Sequence, residues 1–243
     1  MKTSAHWINH FTTNLTKQRI NWDLAPALTP QQVKVILPSL QAWQLGETSD
    51  GYTLIKAANR YAWRTSDADY VKAVELFIKE EQKHGENLGR YLDALHQPRI
   101  KKNLGDSLFR WMRHFNTSME AWTLVVVTVE STAQIFYQAL KDATNCELLK
   151  QICTDILIDE AYHITFQTDR LAVIYDNRSA WGKTWRKYFY QSFFYGTAIV
   201  VWAAHYQLFR AGGNTFKGYI KKMHHKYLKT LNQITTLHLF EVA

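Results

Sequence analysis

Residues 74–91 read VELFIKEEQKHGENLGRY and residues 157–167 read LIDEAYHITFQ. In each stretch the apolar residues recur at three- and four-residue intervals, the mark of an α-helix with one buried face. Each also carries the same polar insertion, acid-Glu-x-x-His: Glu80-Glu81-Gln-Lys-His84 in the first, Asp159-Glu160-Ala-Tyr-His163 in the second. Side chains three residues apart on a helix leave one face with their ends converging, so a carboxylate and an imidazole can share one metal ion. With 10 His in the chain, chance supplies fewer than one ExxH. Both lie on otherwise apolar stripes, where an unpaired carboxylate is strongly unfavourable to bury. The ordinary alternative for a single ExxH is a solvated helix face, with Glu80 turned to water beside Lys79 and Lys83.

Working outward, Tyr70, Val74, Phe77, Glu81, His84, Leu88 and Tyr91 form the stripe of one helix, opening after the capping cluster TSDAD. Leu149, Ile152, Ile156, Glu160, His163 and Gln167 form that of another, from about Asn145 to Ile174. The spacing predicts a further helix from about Pro38 to Arg64, with Glu47, Leu54, Ala58 and Tyr61 on one side and weak points at Gly46 and Gly51. Another runs from about Ser107 to Asp142, in which VVVTVESTAQIF surrounds Glu130 with apolar and small residues. Residues before LTPQQVKVILP read as a polar lead-in, with Thr29 and Pro30 placed to start a helix. Past YDNRSAWG, segments of about 183–210 and 216–237 are separated by AGGN. The expected fold is all-α: a single domain over 1–243, with a four-helix bundle over about 38–175 and a basic two-helix extension over about 181–238. The order Glu47, ExxH, Glu130, ExxH across four helices is the dimetal carboxylate pattern of such bundles. On the first helix Asp50 is the fallback to Glu47; on the third, Glu120 is a poorer substitute for Glu130.

The formal charge of +8 belongs to the C-terminal part, where 176–243 holds 10 Lys or Arg against 2 Asp or Glu. Such a segment attracts nucleic acid, an anionic membrane surface or an acidic protein, or forms a solvated helix face. No nucleic-acid motif is present, which places that partner last. Cys146 and Cys153 lie about 10 Å apart along one helix, too far for a mutual disulfide, and indicate a reduced, cytoplasmic protein. No stretch reaches the length of a spanning helix; the most apolar, SFFYGTAIVVWAAH, reads as a buried helix that lines a pocket. His114, His205, His224, His225 and His238 lack a matching carboxylate pattern and read as surface or core residues.

Over about Leu40 to Arg170 the sequence resembles the ferritin-like di-iron carboxylate superfamily: ferritins, rubrerythrins, ribonucleotide reductase small subunits and bacterial multicomponent monooxygenases. Position by position, the resemblance implies that Glu81 and Glu160 bridge two metal ions. Glu47 with His84 then completes one ion's coordination, and Glu130 with His163 the other's. Iron suits this mixed carboxylate and imidazole set, with manganese or a mixed Mn/Fe pair as alternatives. Metal-bound histidines commonly donate their second N–H to a carboxylate. In antiparallel neighbours, the acid preceding each ligand Glu leans toward the other helix's histidine. The expectation is a crossed arrangement, Asp159 on His84 and Glu80 on His163, which the resemblance to di-iron monooxygenases also suggests.

Two enzymatic or iron-handling functions compete, and a third, non-enzymatic reading, a metal-stabilised bundle whose basic tail docks on nucleic acid or a partner, comes last. The first is an O2-dependent oxidoreductase or oxygenase acting on a small hydrophobic or aromatic substrate. It needs an external electron donor, and a homodimer is a candidate assembly. The two-helix extension, the aromatic residues Phe77, Tyr137 and Phe166 near the candidate ligands, and the apolar run of the fifth helix favour it. Tyr137 is its candidate hydrogen donor or radical site. The second is a ferroxidase, iron-handling or peroxide-scavenging protein, against which the basic C-terminal segment argues.

Overall fold

The computed structural model describes residues 2–102, 118–176 and 179–236. Among them are helices α1 (Ser4–Leu15), α2 (Pro30–Glu47), α3 (Tyr52–Thr65), α4 (Ala68–Ala94), α5 (Met119–Asp142), α6 (Glu147–Asp176), α7 (Ala180–Ala211) and α8 (Phe216–Thr236), and no strand. The fold is the all-α, ferritin-like bundle: α2 continued by α3, then α4, α5 and α6, are its four columns, with α5 and α6 the most extensively packed pair. The extension, α7 and α8, pairs with itself and lies over α5, α7 reaching α2 and α8 reaching α6. The helix from about Ser107 thus begins, among described residues, at Met119; His114 and His238 lie outside them.

Local chemistry sets the ends. Thr29 Oγ1 accepts the Gln32 N–H at 3.2 Å while Gln32 Oε1 accepts the Thr29 N–H at 3.0 Å, a capping box with Pro30 in the first turn of α2. The helix expected from Pro38 to Arg64 therefore starts a full two turns earlier, and it is also broken, since residues 48–51 separate α2 from α3. Gly51 sits at φ +65°, and a Cβ there would stand 2.4 Å from Ile78 Cδ1, so the break is enforced by close approach to α4. Gly85 has a second role of this kind. A Cβ on it would lie 3.0 Å from Thr48 Cγ2 and 3.2 Å from the Glu47 backbone, so its bare backbone lets the end of α2 settle beside His84.

The supposed polar lead-in is α1. Thr3 caps it through the His6 N–H, and Trp7, Phe11 and Asn14 form its buried face against α4. Arg170 fastens its start, donating to Ser4 Oγ and Asp67 Oδ2 at 2.9 Å each. Apolar residues fill both ends of the bundle. Trp7, Phe11, Tyr70, Phe77 and Phe166 pack at one end, Leu88, Tyr91, Phe136, Leu149 and Ile156 at the other. Truncating any of these large side chains to Ala would cost about 2–5 kcal/mol. Between the two ends, on α4 and α6 alike, comes the polar insertion. The run SFFYGTAIVVWAAH is helical within α7 but not buried throughout. Phe194 and Ala198 face inward while Ile199 and Val200 face solvent.

Candidate metal centre

The EExxH and DExxH turns of α4 and α6 meet at mid-bundle. Candidate ligand atoms of Glu81, Glu130, Glu160 and His163 all lie within 4.8 Å of one another, and those of Glu47, Glu81 and His84 do likewise. Glu81 belongs to both groups, while Glu160 reaches both histidines, at 3.8 Å from His84 Nδ1 and 3.5 Å from His163 Nδ1. Glu47 comes from the last residue of α2, Glu130 from the middle of α5. Asp50 is not brought in: it is exposed, and its carboxylate accepts the Tyr52 N–H at the start of α3. Glu120 is also elsewhere, paired with Arg186 of α7.

The crossed contacts are present. His163 Nε2 lies 2.7 Å from Glu80 Oε2 and His84 Nε2 lies 3.2 Å from Asp159 Oδ2. Glu80 is fully buried, not turned to water beside Lys79. These carboxylates fix each ring with Nε2 protonated and Nδ1 aimed at the centre. The sequence reading misses what holds them. Asn14 of α1 donates through one Nδ2 to both Glu80 Oε1 (2.6 Å) and Asp159 Oδ1 (2.7 Å). Arg19 donates to Asp155 Oδ1 (2.5 Å), to Asp159 Oδ1 (2.9 Å) and to Asn14. The spacing of Trp7, Phe11 and Asn14 behind Thr3 is the one sequence signal that marks this element.

The donor set fits a pair of cations. Glu81 Oε1, His84 Nδ1, both Glu160 carboxylate oxygens and His163 Nδ1 are buried without a hydrogen bond, and each belongs to a residue of one or both of the two ligand groups. Glu81 Oε1 and His163 Nδ1 are 2.8 Å apart but misaligned for donation. Orphaned groups of this kind are strongly unfavourable unless something else satisfies them. Four carboxylates and two imidazoles balance two divalent ions in charge.

The electrostatics follow from the crowding. Burial, then repulsion from Glu81 and Glu160, pushes the Glu47 carboxyl well up, and burial followed by Glu160 and Glu81 does the same to Glu130. Burial also acts to raise Glu81, but His163 and His84 outweigh it and hold it at about 2. Burial lowers His163, yet Glu81, Glu160 and Glu80 together raise it well above its ordinary value. Tyr137, fully buried, donates its hydroxyl to Glu47 Oε1 at 2.6 Å. Phe77 packs nearly perpendicular to His163, ring centroids 4.8 Å apart, and Phe166 packs against Phe11 beyond it.

A cavity of about 470 Å³ opens from this cluster toward α7. Glu47, Glu81 and Glu130 form its inner end, Trp43, Phe77, Ile78 and Trp122 part of its wall, and Phe193, Val200 and Ala204 its α7 side. His205 also lines it, at a residue where φ −125° and ψ 21° interrupt the helix. Its Nδ1 lies 3.0 Å from Ser39 Oγ, and burial holds its pKa down at about 4.

Fold and cluster together define a ferritin-like bundle with a carboxylate and histidine centre. Neither a family model nor a curated protein matches the chain. Among solved structures it is similar to an R2-like ligand-binding oxidase with an aerobically reconstituted Mn/Fe cofactor, at TM-score 0.67 and 17% identity over 96% of this chain and 92% of that one. A variant of an R2-like ligand-binding oxidase, also with a Mn/Fe cofactor, superposes at TM-score 0.70 with 16% identity over 96% and 94% of the two chains. Identities this low establish a shared fold.

Proposed function

We propose that the protein binds two transition-metal ions, iron or a Mn/Fe pair, and is an O2-dependent oxidase or oxygenase of a small apolar substrate. The observation that carries this reading is the cavity: its walls are chiefly apolar, and its inner end is formed by Glu47, Glu81 and Glu130. A pocket that joins an apolar chamber to a few converging polar groups is the form expected of a substrate site. A ferroxidase would instead need an acidic approach, and among the described residues the only acids lining this cavity are the three at its end. The Mn/Fe cofactor of the R2-like ligand-binding oxidases supports the choice of metals. Buried free thiols at Cys146 and Cys153 suit a reducing, cytoplasmic setting.

The proposed ligands are Glu47, Glu81, His84, Glu130, Glu160 and His163. Bound between them, the metal pair supplies the redox chemistry that O2 reduction requires. Asp159 and Glu80 accept the Nε2 protons and keep both Nδ1 atoms directed inward. Tyr137 holds a proton on Glu47 Oε1, the carboxylate beside the cavity, and is positioned as a hydrogen donor at that end. Phe77 and Trp122 exclude water from the same side. Electrons come from an external donor.

Metal analysis and O2 uptake of the reduced protein test the reading. Two equivalents of metal and O2 consumption that rises with reductant and an apolar substrate are expected. Glu130→Ala and His163→Ala should each lose metal; retention of the full parental content by both would overturn the ligand set.

A further inference from the structure

One exposed stripe of α7 is apolar along most of the helix, with the exposed Lys187 on its flank. Trp181, Trp185, Tyr188, Phe189, Ile199, Val200 and Tyr206, at helical spacing, are each between 48% and 80% exposed. Ser192, Gly196 and Ala203 continue the same face, which runs ~37 Å before Arg210 ends it. Trp185, Phe189 and Phe193 stack in sequence, with ring centroids 5.6 and 6.4 Å apart and planes within 13° of parallel. A contiguous apolar surface of this length on an otherwise charged protein marks a place where something binds. The question is what.

Charge decides it. Residues 180–236, the whole of α7 and α8, contain nine Lys or Arg and no Asp or Glu. On α8, Lys217, Lys221 and Lys229 are exposed, together with Leu228 and Phe216. Trp, Tyr and Phe beside Lys and Arg, with no acid among them, is the composition that settles at the headgroup level of a bilayer. An anionic leaflet attracts each such cation from within a Debye length. A second copy of the chain meets the opposite situation, because a self-complementary contact would set one acid-free extension against another. No helix among the described residues is long and apolar enough to cross a membrane, so contact is with the surface.

The cavity adds a second line of argument. Val200 belongs to the exposed face and to the cavity lining, and Gly196 is likewise both exposed and at the lining. The cavity flank of α7 is thus contiguous with its outward face. We infer that α7 and α8 dock this protein on an anionic lipid surface, with the cavity opening at the edge of the docked face. On the function proposed above, the apolar substrate then enters from the lipid phase without crossing water.

Flotation of the full-length protein with vesicles is the test. One set is phosphatidylcholine alone and the other phosphatidylcholine with one third phosphatidylglycerol. Binding to the anionic vesicles, a blue shift of Trp emission, and weakening on raising salt are expected. Lys217→Ala with Lys221→Ala should weaken binding on the order of 30-fold, since each basic residue near the surface contributes separately. Trp185→Asp with Phe189→Asp should abolish the emission shift while leaving metal content unchanged, which shows that the variant is folded. No flotation with either vesicle would overturn the inference, as would equal flotation with both. A dimer that Trp185→Asp dissociates, in a protein that does not float, would assign the face to a second copy. Metal content and O2 uptake are measured without vesicles, so failure here leaves the proposed function standing, and loss of that function leaves flotation unaffected.

Discussion

Replacing Asn14 with Ala removes one amide that serves two buried carboxylates at once. Its Nδ2 lies 2.6 Å from Glu80 Oε1 and 2.7 Å from Asp159 Oδ1. A hydrogen bond to a charged group contributes about 1.5–3 kcal/mol, so the two together amount to about 3–6 kcal/mol. Arg19 remains on Asp159 and offsets part of the loss, leaving about 3 kcal/mol. For a chain of this size that corresponds to a fall in Tm of roughly 6–12 °C. Urea and thermal unfolding of metal-free Asn14→Ala against the parent measure it directly. Asn14→Asp should be at least as destabilising, because a carboxylate cannot donate and adds a third negative charge between the other two. Glu80 and Asp159 in turn orient His163 and His84, so metal affinity should fall about 10- to 100-fold, read by chelator competition. A stability loss below about 1 kcal/mol with unchanged metal affinity would refute the view that α1 supports the centre.

Gly85→Ala should destabilise by about 1–3 kcal/mol, because its Cβ must displace Thr48 or the Glu47 backbone from 3.0–3.2 Å; differential scanning calorimetry would show it. Tyr137→Phe removes the donor to the buried Glu47 carboxyl and should destabilise the protein by about 1–3 kcal/mol, read by urea unfolding. His205 gives a pH dependence: its pKa is about 4 folded against 6.5 in the unfolded chain. The unfolded state binds the proton first, so stability is full above pH ~6.5 and falls as pH drops toward ~4, by up to about 3 kcal/mol. His205→Asn should flatten that part of the profile of unfolding free energy against pH.

How much of this was legible in the sequence varies with the distance over which each feature is decided. The stripes around Glu81 and Glu160 are local, and helical period alone puts carboxylate and imidazole on one buried face. The crossed pairing of Glu80 with His163 follows from two such turns lying antiparallel. Glu47 against Asp50 is one turn's difference, and it turns on a break that no local preference fixes. Gly51 adopts φ +65° where Ile78 of another helix comes close, and Asp50 is then used to cap α3. Helix α1 is masked by its composition: polar residues surround Trp7 and Phe11, and the partners that make Asn14 and Arg19 matter lie 66 to 145 residues away. The exposed side of α7 is hidden for the converse reason. An apolar run reads as core, and only the tertiary arrangement shows that half of it faces out.

Those long separations carry a consequence for biosynthesis. Asn14 leaves the ribosome well before either carboxylate it binds, and Asp159 follows it by 145 residues. Until α6 has been made and α1 has folded back across it, neither histidine is locked in the orientation that presents Nδ1. The nascent chain therefore carries glutamates and histidines without a formed metal trap. Adventitious ions have little to hold until nearly the whole bundle has been translated, so metal selection is deferred to the finished fold.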